Sequence, residues 1–330
     1  MVIGLAASKK VLFVGGKGGV GKTSIASTIA LARADAGQQV LVVSTDPAHS
    51  LGHLWDCDIG DQITPLGPPG LVGLEINPTT ATEQHLQEVG QRLNTLVPEH
   101  MRSQVRHHLD LVRHAPGTHE AALLERVATT VETHMGDYDL IVFDTAPSGH
   151  TTRLMQLPEM MTAWTEGMLN RHDRAERFTE AIVGLDDEDP AQDVVGVGRG
   201  MSRAQRDSEI RRVLLARQKR FTTLRQTLQD PDKTAFIVVL QGERLPALET
   251  VEMGHELSHV GMTMAAGVVN RRSPDTAGEL LARRHAQEAQ HINYVTTHLP
   301  DLPLCEVPLL GENLTAPEKL REIEPFLHLS

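Results

Sequence analysis

Residues 11–24, VLFVGGKGGVGKTS, constrain this chain more than any other stretch. The apolar run Val11-Leu12-Phe13-Val14 leads straight into glycines and then into Ser24-Ile25-Ala26-Ser27-Thr28-Ile29-Ala30-Leu31-Ala32, so a buried strand must turn through a tight loop into a helix. From Gly16 through Lys17, Gly18, Gly19, Val20, Gly21 and Lys22 to Thr23, followed by Ser24, the residues satisfy G-x-x-x-x-G-K-[ST]. Glycines let backbone N–H groups curl around an anion, and the helix N-terminus adds partial positive charge. Such a loop cradles phosphate: Lys22 can reach the β- and γ-phosphates of a nucleotide, and Thr23 can ligate Mg²⁺. Lys17 is a second lysine inside the loop. One lysine already serves the phosphates from within the subunit, so a second suggests charge offered to a neighbouring nucleotide, as an arginine finger is offered in trans.

The rest of the chain alternates strands and helices. Gln39–Thr45 reads as a buried strand ending at Asp46, which can orient or deprotonate an attacking water or serve as a helix cap. Leu71–Ile76 is a further strand behind a Pro/Gly-rich loop at Asp61–Gly70. Tyr138–Asp144 ends in an acid followed by Thr145-Ala146-Pro147-Ser148-Gly149-His150-Thr151, the expected second support for Mg²⁺ and a segment suited to rearrange when the γ-phosphate leaves. Thr234–Leu240, Met264–Asn270 and Pro303–Pro308 complete the strands, with Ala247–Val260 as a covering helix. Asn270, at a strand end, can offer its amide to a base edge. The alternation predicts an α/β fold, a doubly wound, mostly parallel sheet of the P-loop NTPase type with an inserted helical subdomain. Residues 1–330 read as one P-loop ATPase domain with helical insertions at approximately 79–135 and 157–229. Met155, Met160, Met161, Trp164 and Met168 either line an adaptable apolar groove or pack a core.

The formal net charge is −12, which disfavours a general electrostatic grip on nucleic acid or anionic membrane. The two cysteines, Cys57 and Cys305, have no partner at metal-ligand spacing, so neither a disulfide framework nor a zinc motif is readable, and a reducing cytoplasm is expected. Histidines His85, His100, His107, His108 and His114 lack an adjacent carboxylate or cysteine set and read as solvated or packed.

Three stretches together resemble the arsenite-transporter and tail-anchored-protein targeting (ArsA/Get3-type) ATPases, which carry a deviant phosphate loop with a signature lysine. Lys17-Gly18-Gly19-Val20-Gly21-Lys22-Thr23 is similar to that loop, Thr45-Asp46-Pro47-Ala48-His49-Ser50-Leu51 resembles the first switch, and Asp144–Leu154 resembles the second. The match continues through Leu157-Pro158, Val268-Val269-Asn270 and Val307-Pro308-Leu309-Leu310. The resemblance implies ATP and Mg²⁺ as cofactors. Lys22 and Thr23 would meet the phosphates and the ion, Lys17 would reach the partner's nucleotide, and Asp46 would activate water. Mg²⁺ would be held by Thr23, Asp46 and Asp144, partly through water. Asn270 and Pro308 would flank adenine, and Glu243 sits where the family keeps an acid at the dimer's nucleotide face. With one phosphate loop per chain, a homodimer with two facing ATP molecules is implied.

There are departures as well. Stretch Arg271–Leu304 has no C-x-x-C pair, so no zinc is expected between subunits, and residues 58–304 contain no cysteine to hold arsenite. The reading is therefore an ATP-hydrolysing homodimeric switch for a protein client, possibly a hydrophobic membrane-protein segment. The alternatives are the energising subunit of an arsenite or anion efflux pump, and a positioning ATPase of the MinD/ParA type. The last needs a basic face or tail, whereas Glu318–Leu327 is amphipathic but not basic.

Overall fold

Strand β1 (Val11–Gly16) is buried from end to end in the interior of the sheet. The computed structural model describes residues 1–96, 102–113, 115, 117–145, 157, 166–167, 203–311 and 317–328. With β2 (Val40–Ser44), β3 (Thr64–Pro65), β4 (Leu71–Glu75), β5 (Leu140–Asp144), β6 (Thr234–Leu240), β7 (Met264–Arg272) and β8 (Leu304–Pro308), β1 forms an eight-stranded sheet in the order β3-β4-β2-β5-β1-β6-β7-β8. Every neighbouring pair is parallel except β3–β4. The helices among the described residues are α1 (Val2–Ala7), α2 (Lys22–Asp35), α3 (Ser50–Trp55), α4 (Pro78–Leu96), α5 (Arg102–Arg113), α6 (Thr118–His134), α7 (Arg203–Gln229), α8 (Arg244–His259), α9 (Glu279–His298), α10 (Pro317–Arg321) and α11 (Glu324–His328).

Continuously apolar strands such as LIVF and FIVVL need cover on both faces of a parallel sheet. Leu12 and Val14 of β1 face one core, shared with α1, α2, α3 and the C-terminal helices. Val11 and Phe13 face the other, beneath α6, α7, α8 and α9. There the Phe13 and Phe143 rings stack at 4.8 Å. The register sets Val14 beside Asp144, Ser44 beside Asp144, and Ser44 beside Glu75. The phosphate loop and the carboxyl ends of three strands therefore meet at one edge of the sheet, where open α/β folds bind ligands.

The predicted strands all occur, with ends shifted by one or two residues. β3 lies inside the stretch expected to be loop, because a two-residue strand has no periodicity to read and Pro65 is confined to the sheet edge. The short helices α1 and α3 are also additions to the expected elements. Asn77 caps α4 by accepting from the N–H groups of Thr79 and Thr80 at 2.9 and 3.3 Å, and Pro78 takes the first helical position. Gly90 lets Leu109 of α5 approach α4, since a Cβ there would lie 3.0 Å from Leu109 Cδ1. Leu123, Leu124, Val127 and Val131 seat α6 on the sheet.

The amphipathic tail is packed inward. Leu320, Ile323 and Leu327 are fully buried in the first core, and Arg321 grips Asp35 of α2 with two bonds at 2.8 and 2.9 Å. That hydrogen bond holds the Asp35 carboxyl below its ordinary range. The apolar stripe a surface-positioning ATPase would lay on a membrane is here consumed by the fold. Among the described residues no helix is long and apolar enough to cross a membrane.

Candidate nucleotide site

Gly16, at φ +140°, closes β1 so near to β6 that a Cβ would sit 2.1 Å from the Val239 carbonyl oxygen. Gly18 and Gly19 form the exposed tip, Val20 returns to the core, and Gly21, at φ +95°, starts α2. Lys22 is 5% exposed, and its Nζ donates to the Lys17 carbonyl oxygen at 3.1 Å, so its ammonium lies inside the loop. Burial lowers its pKa, against the opposing charges of Asp144 and Asp46. Thr23 Oγ1 donates to Asp144 Oδ2 at 2.6 Å, and the Ser24 carbonyl accepts from Thr28 Oγ1. Asp144 is fully buried and its Oδ1 has no hydrogen-bond partner among the described residues. Burial pushes this carboxyl up to about 7, against the Thr23 hydrogen bond and the Lys22 charge and assisted by Asp46 and Glu75. A hydroxyl beside a buried carboxylate with one unshared oxygen is a donor set that fits a hard divalent cation such as Mg²⁺.

Asp46 leaves the end of β2 half-buried. Its N–H donates to Ser44 Oγ at 3.3 Å and its Oδ1 accepts from Ala48 N at 3.1 Å, a local Asx turn. The residue immediately before α3 is His49, in the left-handed region at φ +51°, rather than Asp46, and its side chain makes no cap bond to the helix. Glu75, which the sequence reading did not single out, ends β4 at 4% exposure. Its Oε1 accepts from Gly52 N at 2.9 Å and its Oε2 lies 2.7 Å from His49 Nδ1. The signal that marked Asp144, an acid closing an apolar strand, marks Glu75 equally.

On the other side of the loop, Lys17 Nζ pairs with Glu249 Oε1 of α8 at 2.8 Å, with both side chains about one-third exposed at 34% and 33%. Asn270 Nδ2 donates to the Val20 carbonyl at 2.8 Å and its Oδ1 accepts from Arg271 N, so the amide buttresses the phosphate loop. Gly21 makes room for it, since a Cβ would be 2.3 Å from that nitrogen. Glu243 precedes α8 and binds Arg284 at 3.0 Å. Pro308 ends β8 opposite Arg272. The second switch beyond Thr145, and Met155, Met160, Met161, Trp164 and Met168, lie outside the described residues.

Residues 9–329 match the family model of the anion-transporting ATPases. The chain belongs to that family. It is 28% identical over 325 residues to a putative arsenical pump-driving ATPase 2 of Aquifex aeolicus, covering 97% of this chain and 99% of that protein. It is 30% identical over 336 residues to the ATPase GET3 of Meyerozyma guilliermondii, covering 97% and 90%. Against the arsenical pump-driving ATPase of Acidiphilium multivorum it is 29% identical over 315 residues, covering 94% of this chain but only 48% of that one. The phosphate loop therefore belongs to an ATPase, which splits ATP into ADP and phosphate.

This anion-transporting ATPase family member braces the segment after Asn270 with charge. Arg272 and Glu288, 7% and 5% exposed at their side chains, pair at 2.7 Å. His285 Nδ1 meets the Ser273 carbonyl, and its Nε2 lies 3.1 Å from Arg272 Nη2; with the proton on Nδ1, both contacts are satisfied. Burial alone would raise the Glu288 carboxyl, but hydrogen bonds from Ser273, Arg272 and Arg284 outweigh it and hold the group down at about 2 against an ordinary 4.5. The depressed value contributes stability that is complete above about 4.5 and is lost as pH falls towards 2. Glu288→Gln is expected to destabilise the protein by about 3 kcal/mol near neutrality, because it leaves Arg272 under-compensated. Melting curves of both proteins should converge as pH is lowered through that window, and a pH-independent gap would refute this account.

Proposed function

We propose that this ATPase works as a homodimeric switch in the cytoplasm, hydrolysing ATP between two copies and coupling nucleotide state to capture of a protein client with an apolar segment. The observation that carries the dimer is Lys17. Lys22 already fills the loop interior from its own subunit, while Lys17 lies on a partly exposed ion pair with Glu249 that it can exchange for a facing nucleotide.

In this reading Lys22 and the loop N–H groups bind the phosphates, Thr23 and Asp144 hold Mg²⁺, and Asp46 contributes through water. When bound, Mg²⁺ neutralises charge on the phosphate oxygens. Asp46 orients and deprotonates the attacking water, Asn270 and Pro308 border the adenine, and Glu243 stands at the dimer's nucleotide face. Asp46→Asn is expected to lower kcat by on the order of 100-fold or more with little change in ATP affinity.

The relatives named as arsenical pump-driving ATPases favour a second reading, the energising subunit of an efflux pump. The thiols argue against it. Cys305 is buried, which pushes its pKa up to about 11, and burial also raises that of Cys57, so neither offers the ready thiolate a soft metalloid binds. Turnover with Mg·ATP should respond to an apolar membrane-anchor peptide and not to arsenite. Arsenite stimulation without any peptide response would replace the client reading with the pump.

A further inference from the structure

We infer that Glu75 is a positioning residue for ATP hydrolysis, fixing through His49 and Gly52 the loop that carries Asp46. The inference rests on the reading of Asp46 as the group that handles water.

Up to Thr45 the chain is pinned by the sheet. Thr45 N donates to the Asp144 carbonyl at 2.9 Å, and Ile76 N to the Ser44 carbonyl at 2.9 Å. Beyond it Pro47, Ala48 and His49 are exposed. An exposed loop fixed at one end places a carboxylate poorly, and an error of about 1 Å in a reacting group can cost on the order of 100-fold in rate. At the far end Leu51 is buried in the first core and Trp55 Nε1 donates to Ser27 Oγ at 3.1 Å, which seats α3, and Glu75 adds the contact that reaches His49, the last residue of the loop itself. Both carboxylate oxygens are used, Oε2 on the His49 ring at 2.7 Å and Oε1 on the Gly52 N–H at 2.9 Å. An ionised carboxylate has no hydrogen to give, so His49 Nδ1 carries the proton and donates.

Three further features are built around this anchor. His49 and Asp56, at φ +51° and +49°, bracket α3 with left-handed backbone that costs roughly 1 kcal/mol at each non-glycine residue and must be held by its surroundings. Gly52 removes the side chain that would meet Cys57 O at 2.9 Å and approach Glu75 Oε1 at 3.8 Å. Glu75 itself is a buried carboxylate, which costs several kcal/mol unless its oxygens are paired. A fold needing only to fill this place would be served by an apolar side chain, whereas holding a loop end needs directional acceptors.

The test compares wild type with Glu75→Gln, His49→Asn, their double variant and Asp46→Asn, measuring kcat, KM for ATP and thermal unfolding. Asn suits left-handed backbone and is too short to reach Glu75. Because His49 is 53% exposed at its side chain, its variant keeps the test open if Glu75→Gln is destabilised. The expected result is a fall in kcat on the order of 10- to 100-fold in Glu75→Gln and in His49→Asn, KM within about twofold, a smaller loss of stability in His49→Asn than in Glu75→Gln, and no further fall in kcat in the double variant. Wild-type kcat in His49→Asn, or effects that multiply in the double variant, would overturn the inference. If Asp46→Asn itself turns over normally, the reading of Asp46 falls and this one with it. If Asp46→Asn is inactive while Glu75→Gln and His49→Asn are normal, only the role of Glu75 falls.

Discussion

Lys17→Ala is expected to lose ATP turnover by about 1,000-fold or more while still binding ATP. The physical reason is a division of labour between two lysines in one loop. Lys22 is 5% exposed, donates to the Lys17 carbonyl from inside the loop, and lies near the charges of Asp144 and Asp46, so in the proposed dimer it serves its own subunit's phosphates. Lys17 is held by Glu249 at 2.8 Å, but with both partners about one-third exposed, at 34% and 33%, such a pair contributes less than about 1 kcal/mol and yields readily to a phosphoryl group. A charge supplied in trans to the transferring phosphoryl group is worth roughly 10³ to 10⁵ in rate. Steady-state hydrolysis and equilibrium binding of a fluorescent ATP analogue separate the two effects. Glu249→Gln, which frees Lys17, should turn over at least as fast as wild type. A mixing experiment decides the geometry. Lys17→Ala and Asp46→Asn are each expected to be nearly inactive alone, yet a heterodimer of the two would keep one site with an intact Asp46 and an intact partner lysine. Activity recovered on mixing supports the lysine acting in trans, and full activity of Lys17→Ala alone would remove the facing-nucleotide dimer.

Gly16→Ala is expected to be the most damaging methyl group that can be added to the loop. The Cβ would meet Val239 O at 2.1 Å and Val239 C at 3.1 Å, both main-chain atoms of the neighbouring strand, at a backbone φ of +140°. Main chain in the middle of a sheet cannot rotate away as a side chain can, so β1 and β6 must separate at the residues that align the phosphate cradle. A loss of about 3 kcal/mol or more is expected, together with loss of ATP binding. Gly19→Ala is the matched control: it shares positive φ, +81°, but a Cβ there meets nothing within 4 Å. Its cost should be about 1 kcal/mol. Denaturant unfolding of the two variants checks the contrast, and equal midpoints would show that contact with Val239 is not what constrains Gly16.

The local chemistry of this protein was legible in the linear chain because it is written at short range. VLFVGGKGGVGKTS encodes strand, positive-φ turn and helix within a few residues, and apolar runs closed by acids mark strand ends. The same rule would have found Glu75, since LVGLE has the form of LIVFD. The sequence by itself thus determined the α/β class, the strand–loop–helix of residues 11–24 and the strand-ending acid Asp144 that meets Thr23 beside it. Only the tertiary structure decided who meets whom across long separations: Lys17 with Glu249, 232 residues away, and Asn270 with the Val20 carbonyl, 250 residues away. It also decided that the amphipathic tail is packed against α2. Spacing along a chain sets φ, ψ and side-chain period, but contacts between distant segments depend on strand order and register, which are settled by packing two cores at once.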